Sequence, residues 1–388
     1  MTRRPVNYYG AGFLALGLVP LTAVIVPLYA LGLGASAGQV GIIMAMRSLL
    51  PFLMAIPGGA MMDRFGVRFM VSRLSAACAV LALVYPFADG FWPLLLLQLI
   101  FGLCQSFCWI GVQTGIGKAF KGDSLITSHL GFWSMGGTFI GPLMIGVIWD
   151  YLGSTSSFVT VSVWCALLMC LALTLDEQSS AISAQESMSK RKQMGADYGA
   201  AFGLLKEPIV FFVIASSSVR LGAVALQTSF LPVYLAELSF SASQIGLVIG
   251  VSAASSAVAA FLNNVMARWW QPERILAVFI LIALLVLTAM SATSSFWGLM
   301  GLNILMGVAI GTTQPAMFSV LGARIPSEIQ GLIVGLRTSV NRLATFFVPL
   351  AAGVAAELAG TRYTFVWVGI LLIALWALTQ LKMRMQAS

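Results

Sequence analysis

Long apolar stretches alternate with short polar segments along almost the whole chain. Most of the stretches hold about 20 residues, the length that a helix needs to cross the hydrocarbon core of a bilayer. Twelve of them follow one another, at residues 9–34, 40–62, 69–87, 92–116, 128–149, 156–175, 209–236, 243–262, 275–291, 297–321, 332–356 and 363–381. The pattern predicts an all-α membrane protein with twelve transmembrane helices, because a lipid-exposed chain must satisfy its backbone hydrogen bonds within each helix.

Composition and charge placement agree with this architecture. Of the 388 residues, 59% are hydrophobic and 9% are charged, whereas a soluble domain has about 25% charged residues. The net charge of +8 could suggest nucleic acid, but 16 of the 21 basic residues lie at the termini or in even-numbered loops. The positive-inside rule then predicts cytoplasmic termini and accounts for the charge without a nucleic-acid partner. We expect the membrane to be a bacterial inner membrane.

The two halves of the chain repeat each other. Residues 26–41 align with 231–246 at an offset of 205, and residues 141–153 align with 348–360 at an offset of 207. The repeat predicts a six-helix bundle at 1–175, a cytoplasmic linker at 176–207 and a second six-helix bundle at 208–388. Such internal symmetry is typical of secondary transporters.

Four arginines fall in the interior of predicted helices, away from the ends, whereas no acidic residue does; they are Arg47, Arg220, Arg337 and Arg342. A charged side chain at a helix centre costs about 2.5 to 3.5 kcal/mol by insertion scales, so each arginine needs a compensating partner. Without buried carboxylates, the partners are backbone carbonyls, amide side chains, water or an anionic substrate. The sequence therefore favours an anionic or polar neutral substrate.

Helical geometry assigns these arginines different roles. Arg337 and Arg342 are separated by about 140° around their helix, so both cannot face one narrow surface. One is expected to anchor the helix while the other reaches the cavity or the bundle interface, and the sequence leaves open which. Arg47 has apolar neighbours, and we favour a structural contact between helices.

Two motifs carry a family resemblance. The segment GGAMMDRFGVRFM contains Gly59, Asp63, Arg64, Gly66 and Arg68, and the segment GTFIGPLMIG contains Gly137, Gly141 and Pro142. The first resembles the loop between helices two and three of the major facilitator superfamily, and the second resembles its antiporter motif in helix five. In that family a helix-four arginine often precedes a glycine by four residues, and here Gln98 takes its place before Gly102.

The resemblance implies roles for both motifs. Asp63 would lie near the N-terminus of helix eleven, whose dipole favours an anion. Together with Arg64 and Arg68 it would hold the two halves together on the cytoplasmic side, as a latch. Gly137 and Gly141 are small residues four apart, which allows close helix packing, and Pro142 introduces a kink. The helix-five motif favours antiport.

Polar stripes suggest the substrate path, because helices one, four, seven and ten line it in the family that the chain resembles. The candidate substrate-binding residues on these helices are Thr22 and Tyr29, Gln98, Gln105 and Trp109, Arg220, Gln227 and Tyr234, and Asn303 and Gln314. Hydrogen bonding between helices is the alternative explanation of each stripe.

Together these features predict a secondary transporter that moves a small organic solute by alternating access. Its partners would be the solute, a coupling ion and the lipid bilayer. The alternatives are an exporter of drugs or lipid-like amphiphiles and a receptor or scaffold that binds without transport. The chain shows no catalytic carboxylate pair or phosphate-binding loop, so we expect no enzyme and no cofactor or metal, and we expect a monomer.

Overall fold

A computed structural model describes residues 5–54, 58, 61–62, 64–120, 123–176, 203–324 and 327–385. Within these residues the regular structure is helical and contains no strand. Helices α1 to α4 span Pro5–Gly32, Ala37–Leu53, Val67–Val84 and Phe91–Ala119. One run, Ser124–Leu173, is divided at Gly153, and we call its two parts α5 and α6. Helices α7 to α12 span Pro208–Glu237, Ala242–Met266, Pro272–Ala289, Phe296–Arg324, Ser327–Ala359 and Thr361–Met385.

The lengths of these helices confirm the twelve-helix prediction. Ten helical runs in the described residues are long and apolar enough to cross a membrane. One of them, Leu125–Leu173, has 49 residues, about twice what one crossing needs, and Gly153 divides it. Helix α2 is a shorter apolar helix of 17 residues. The protein is therefore an all-α, multi-pass membrane protein.

A repeated polar cap begins α2 and α8. At α2 the backbone amide of Ser36 donates to the side chain of Gln39, and the amide of Gln39 donates to Ser36 Oγ. Ser241 and Gln244 make the same two bonds at α8. These reciprocal bonds satisfy amides that an open helix end leaves unpaired. The repeated Ser and Gln of the sequence are therefore helix caps.

The last glycine of the second repeat also has a structural explanation. Gly153 and Gly360 have φ values of 82° and 88°, a conformation that favours glycine. Gly153 separates α5 from α6, and Gly360 separates α11 from α12. In both halves a single glycine therefore separates two consecutive helices.

The chain forms two compact units. One unit contains the first six helices together with Thr228–Ala253, which covers the end of α7 and the start of α8. Within it, α1 and α5 approach so closely that a Cβ atom at Gly17 would lie 2.8 Å from the backbone oxygen of Gly137. A Cβ atom at Gly141 would lie 3.2 Å from the backbone oxygen of Gly17. The close packing predicted for the helix-five motif is therefore present.

The other unit contains the rest of α7 and α8 with the helices that follow. In it, α10 packs closely on α8, where Gly311 faces the backbone of Ser256. In the first unit, Gly102 of α4 faces the backbone of Arg47 of α2 in the same way. The two contacts correspond at one offset in the sequence. Ser256 lies 209 residues after Arg47, and Gly311 lies 209 residues after Gly102. The duplication is thus preserved in helix packing.

Candidate functional site

Arg220 lies in the interior of α7 and reaches α10. Its Nε donates to Thr313 Oγ1 at 2.9 Å, and its Nη2 donates to Gln314 Oε1 at 3.1 Å. Both partners are neutral, and Gln314 is exposed on the surface of the unit. The structure therefore brings together Arg220 and Gln314, two candidate substrate-binding residues from different helices. It adds Thr313, which the stripe on α10 did not include.

A second polar contact joins the same two helices farther along. Gln227 Nε2 donates to Asn303 Oδ1 at 2.7 Å, and Asn303 Nδ2 donates to the Leu299 carbonyl at 2.9 Å. Gln227 and Asn303 are both buried. This pair therefore joins α7 to α10 directly, and a contact of either residue with substrate stays a prediction.

Arg337 reaches α10 from α11. Its Nη1 lies 3.3 Å from Met317 Sδ, and its guanidinium lies 5.3 Å from the ring centroid of Phe318. Its buried Nε has no hydrogen-bond partner among the described residues. Arg337 is also close enough to Arg220 for their like charges to interact. The two guanidiniums therefore lie beside the same stretch of α10.

Residues from α7 and α11 also meet directly beside the arginines. Asn341 Nδ2 donates to Ser217 Oγ at 2.8 Å, and Ser218 Oγ donates to Asn341 Oδ1 at 3.3 Å. The consecutive serines and the asparagine one turn after Arg337 were the sequence signal of this contact. Their pairing could not be predicted, because it joins residues more than 120 positions apart.

Arg220, Arg337 and Gln314 lie at similar distances from one end of their helices. Arg220 follows the start of α7 at Pro208 by 12 residues, and Arg337 follows the start of α11 at Ser327 by 10. Gln314 precedes the end of α10 at Arg324 by 10 residues. At 1.5 Å per residue these intervals are about 15 to 18 Å, which is roughly half the thickness of the hydrocarbon core.

In the first unit, α4 presents two buried amides. Gln98 and Gln105 are 1% and 2% exposed, and they lie two turns apart on one face, while Trp109 is half-buried. Gln98 Oε1 and Gln105 Nε2 have no hydrogen-bond partner within the described part of the chain. A buried polar atom without a partner is costly, so these amides remain candidates for contact with a solute.

The other first-unit candidates make contacts elsewhere. Thr22 Oγ1 donates to the Leu18 carbonyl of its own helix at 2.9 Å. Tyr29 Oη donates to the Pro86 carbonyl at 3.1 Å, and its ring packs edge-on against Phe158. Tyr234 is buried in the same unit. The hydroxyls of Thr22 and Tyr29 therefore bond to different backbone carbonyls in the structure.

The candidate latch is only partly described. Gly59 and Asp63 lie outside the described residues, so the acid of the latch is not placed. Gly66 precedes α3 with φ 83°. The Arg64 guanidinium lies 5.2 Å from the Phe65 ring centroid, and Arg68 is half-buried. The role of this loop remains a prediction.

The remaining two arginines are half-buried. Arg47 lies at the close contact of α2 with α4 and near enough to Tyr85 for an electrostatic interaction. Arg342 lies on α11, and its carbonyl accepts from Thr345 Oγ1 at 3.0 Å. Arg337 is thus the α11 arginine that the structure places beside Arg220.

Asp150 forms a contact that the sequence did not predict. Its carboxylate accepts from the backbone amides of Ala242 and Ser243 at 2.9 and 2.8 Å, and also from Ser243 Oγ. These amides begin α8, where the helix dipole favours an anion. Beside this contact, Gly146 and Gly246 let the backbones of α5 and α8 meet. Asp150 therefore fastens the end of α5 to the start of α8.

Comparison with known proteins identifies the family. The family model of the Major Facilitator Superfamily matches residues 8–294 and 214–384, which together cover most of the chain. The chain belongs to the major facilitator superfamily. As expected for this superfamily of transporters, both motifs and the twelve helices are present.

Curated relatives and solved structures agree with this assignment. The chain is 27% identical over 377 residues to the multidrug resistance protein MdtG of Citrobacter koseri, covering 92% of this chain and 90% of that protein. It is 26% identical over 381 residues to MdtG of Salmonella arizonae, covering 93% and 91%. These superfamily relatives match almost the full length of the chain.

Two solved structures share the fold. A mutant of the nucleoside transporter NupG has a TM-score of 0.80 at 13% identity, covering 97% of this chain and 99% of that chain. A bacterial homologue of the human lysosomal transporter Spinster, in an inward-facing and occupied conformation, has a TM-score of 0.72 at 17% identity, covering 98% and 96%. At these identities the structures support the superfamily fold and leave the solute open.

Proposed function

We propose that this protein is a secondary active transporter that moves a small anionic or polar neutral organic solute across the membrane by alternating access. Membership of a transporter superfamily supports the general activity. The contact of Arg220 with α10 carries the proposal for the solute, because among the described residues only neutral groups bind this guanidinium inside the membrane.

The surroundings of Arg220 support an aqueous path at this face. Ionisable residues inside a membrane protein almost always face the bundle interior or a water-filled cavity. Gln314 is exposed while it accepts from Arg220, so this contact reaches the surface of its unit. A solute that enters such a cavity would meet the guanidinium and the amide.

The direction of transport and the orientation in the membrane are proposed on separate grounds. The multidrug resistance names of the MdtG relatives support export, and the helix-five motif favours antiport. The distribution of basic residues supports cytoplasmic termini in a bacterial inner membrane. We also propose a monomer with a coupling ion.

Counterflow in proteoliposomes tests the transport proposal. Vesicles loaded with one unlabelled solute at a time, from a panel of anionic, neutral and cationic metabolites, receive a trace of the same labelled solute. We expect transient accumulation for an anionic or polar neutral solute, and at least a tenfold loss of the initial rate in Arg220→Gln, because hydrogen bonds to a charged group contribute about 1.5 to 3 kcal/mol.

Arg274→Gln is the matched control. It also removes one positive charge from the second half of the protein, but Arg274 is exposed and stacks on Trp270 at 5.0 Å. Its counterflow should equal that of the wild type. Absence of accumulation for every solute of a broad panel would contradict transport by this protein.

A further inference from the structure

The charges around α10 are unbalanced. Arg220 and Arg337 approach α10 from two different helices, α7 and α11. Their contacts there are a hydroxyl, an amide, a thioether and an aromatic ring. Neither guanidinium forms an ion pair with an acidic side chain of the described residues. Within the part of the chain that the structure describes, two neighbouring cations inside the membrane therefore have neutral partners on α10.

The spacing on α10 places the two charges one turn apart. Arg220 binds Thr313 and Gln314, whereas Arg337 contacts Met317 and Phe318. Residues four apart lie about 40° apart around a helix and about 6 Å apart along it. The guanidiniums therefore contact neighbouring turns of one strip of α10.

The strip is also open to a ligand. Gln314 is exposed and Phe318 is 52% exposed, so the surface beside the guanidiniums is polar at one end and aromatic at the other. Arg337 Nε remains a donor without a partner among the described residues. A planar guanidinium with free donors suits carboxylate and phosphate oxygens.

We propose that Arg220 and Arg337 form an oxyanion subsite beside Gln314 and Phe318 of α10. The subsite binds the carboxylate, phosphate or phosphonate group of a ligand whose apolar part lies against Phe318. This inference rests on the proposed transport function and narrows its solute to an anion with an apolar body. The same chemistry would also recognise the phosphate of a lipid headgroup.

Four probes with one phenyl body test the charge requirement. The apparent melting temperature of the purified full-length protein is titrated with benzoate, phenylphosphonate, benzamide and benzylamine. We expect stabilisation by the two anions alone. Equal stabilisation by all four probes would overturn the subsite. The absence of a response to both anions would also overturn it, unless phosphatidylglycerol stabilises the protein in a way that depends on Arg337.

Variants test whether both guanidiniums contact one anion. Arg220→Gln and Arg337→Gln should each weaken phenylphosphonate binding by at least about tenfold, and Arg337→Lys should retain part of it. The losses should not add in the double variant, because the two charges act on one ligand. Unchanged binding in Arg337→Gln would exclude Arg337 from the subsite, and Arg274→Gln is the control.

Stability without ligand separates a binding role from a structural one. If Arg337 binds ligand, Arg337→Gln removes like-charge repulsion, and the ligand-free protein should melt at the same or a higher temperature. If Arg337 is a structural residue, the ligand-free variant should melt lower and its anion response should persist. That second result would overturn the proposal.

Two further outcomes would identify the source of the anion and would distinguish failure of the oxyanion subsite from failure of the transport proposal. Stabilisation by phosphatidylglycerol that depends on Arg337, without a response to phenylphosphonate, would keep the oxyanion subsite and assign it to lipid. Counterflow of a neutral solute that depends on Arg220 but not on Arg337 would leave the transport proposal intact and overturn the subsite.

Discussion

At the scale of single residues, Gly153 is the clearest test of the fold. With φ 82° and ψ 179°, it occupies a region of backbone conformation that is almost exclusive to glycine. Gly153→Ala should lower the free energy of unfolding by about 1 to 3 kcal/mol, read as a lower apparent melting temperature in detergent. The side chain itself meets no obstacle, because no heavy atom lies within 4 Å of the added Cβ.

Gly131→Ala is the matched control for that substitution. Gly131 lies in the same helical run, and an added Cβ there also meets nothing within 4 Å, but its backbone is not in the left-handed region. Alanine at such a position should be neutral or stabilising by about 0.4 to 1 kcal/mol. Equal destabilisation by both substitutions would show that backbone strain is not the cause.

The sequence also predicted some residue contacts better than others. Gly137 and Gly141 were expected in a close helix contact because small residues at a spacing of four permit one, and they make it. The bond of Arg220 to Gln314 was not predictable, since helical periodicity assigns a side chain to a face but does not identify the helix opposite. For the same reason the sequence could not decide which of Arg337 and Arg342 reaches the cavity, because it does not identify the helix that each side chain faces.

At the scale of helices, the contact of Asp150 with the first turn of α8 can be tested by substitution. The carboxylate accepts from two first-turn amides of α8, and hydrogen bonds to a charged group contribute about 1.5 to 3 kcal/mol. In Asp150→Asn, amide exchange at Ala242 and Ser243 should become about tenfold faster, measured by hydrogen–deuterium exchange with mass spectrometry on a peptide that contains both residues.

Asp123→Asn provides the same chemical change with a local effect. Asp123 caps its own helix through the amides of Leu125 and Ile126, so its loss should affect only the first turn of α5. If Asp123→Asn accelerates exchange at the start of α8 as much as Asp150→Asn does, the contact between the two helices is not what protects those amides.

Helix boundaries show what periodicity can and cannot determine. The apolar runs predicted α7 and α12 to within a few residues, because lipid selects apolar side chains along the full span. The polar segment between the fifth and sixth runs was expected to be a loop, but helix continues to both sides of Gly153. Hydropathy measures exposure to lipid and does not detect a helix that continues into the interface.

At the scale of the whole molecule, the positive-inside rule predicts which side of the membrane each end of α12 faces. Among the described ends of the helices, Arg362 lies at the start of α12 and Lys382 lies in its last turn. The linker and the even-numbered loops hold most of the other basic residues. Because basic residues are retained on the cytoplasmic side during insertion, α12 should run from outside to inside.

Reporter fusions measure this orientation directly. Green fluorescent protein fused after Ser388 should fluoresce and alkaline phosphatase at the same point should be inactive, because the C-terminus is expected in the cytoplasm. Fusions after Gly360, which lack α12, should give the opposite pair of signals. Active phosphatase after Ser388 would reverse the orientation. The helical fold and the arginine contacts would stand, but export would then have to be argued from the other side of the membrane.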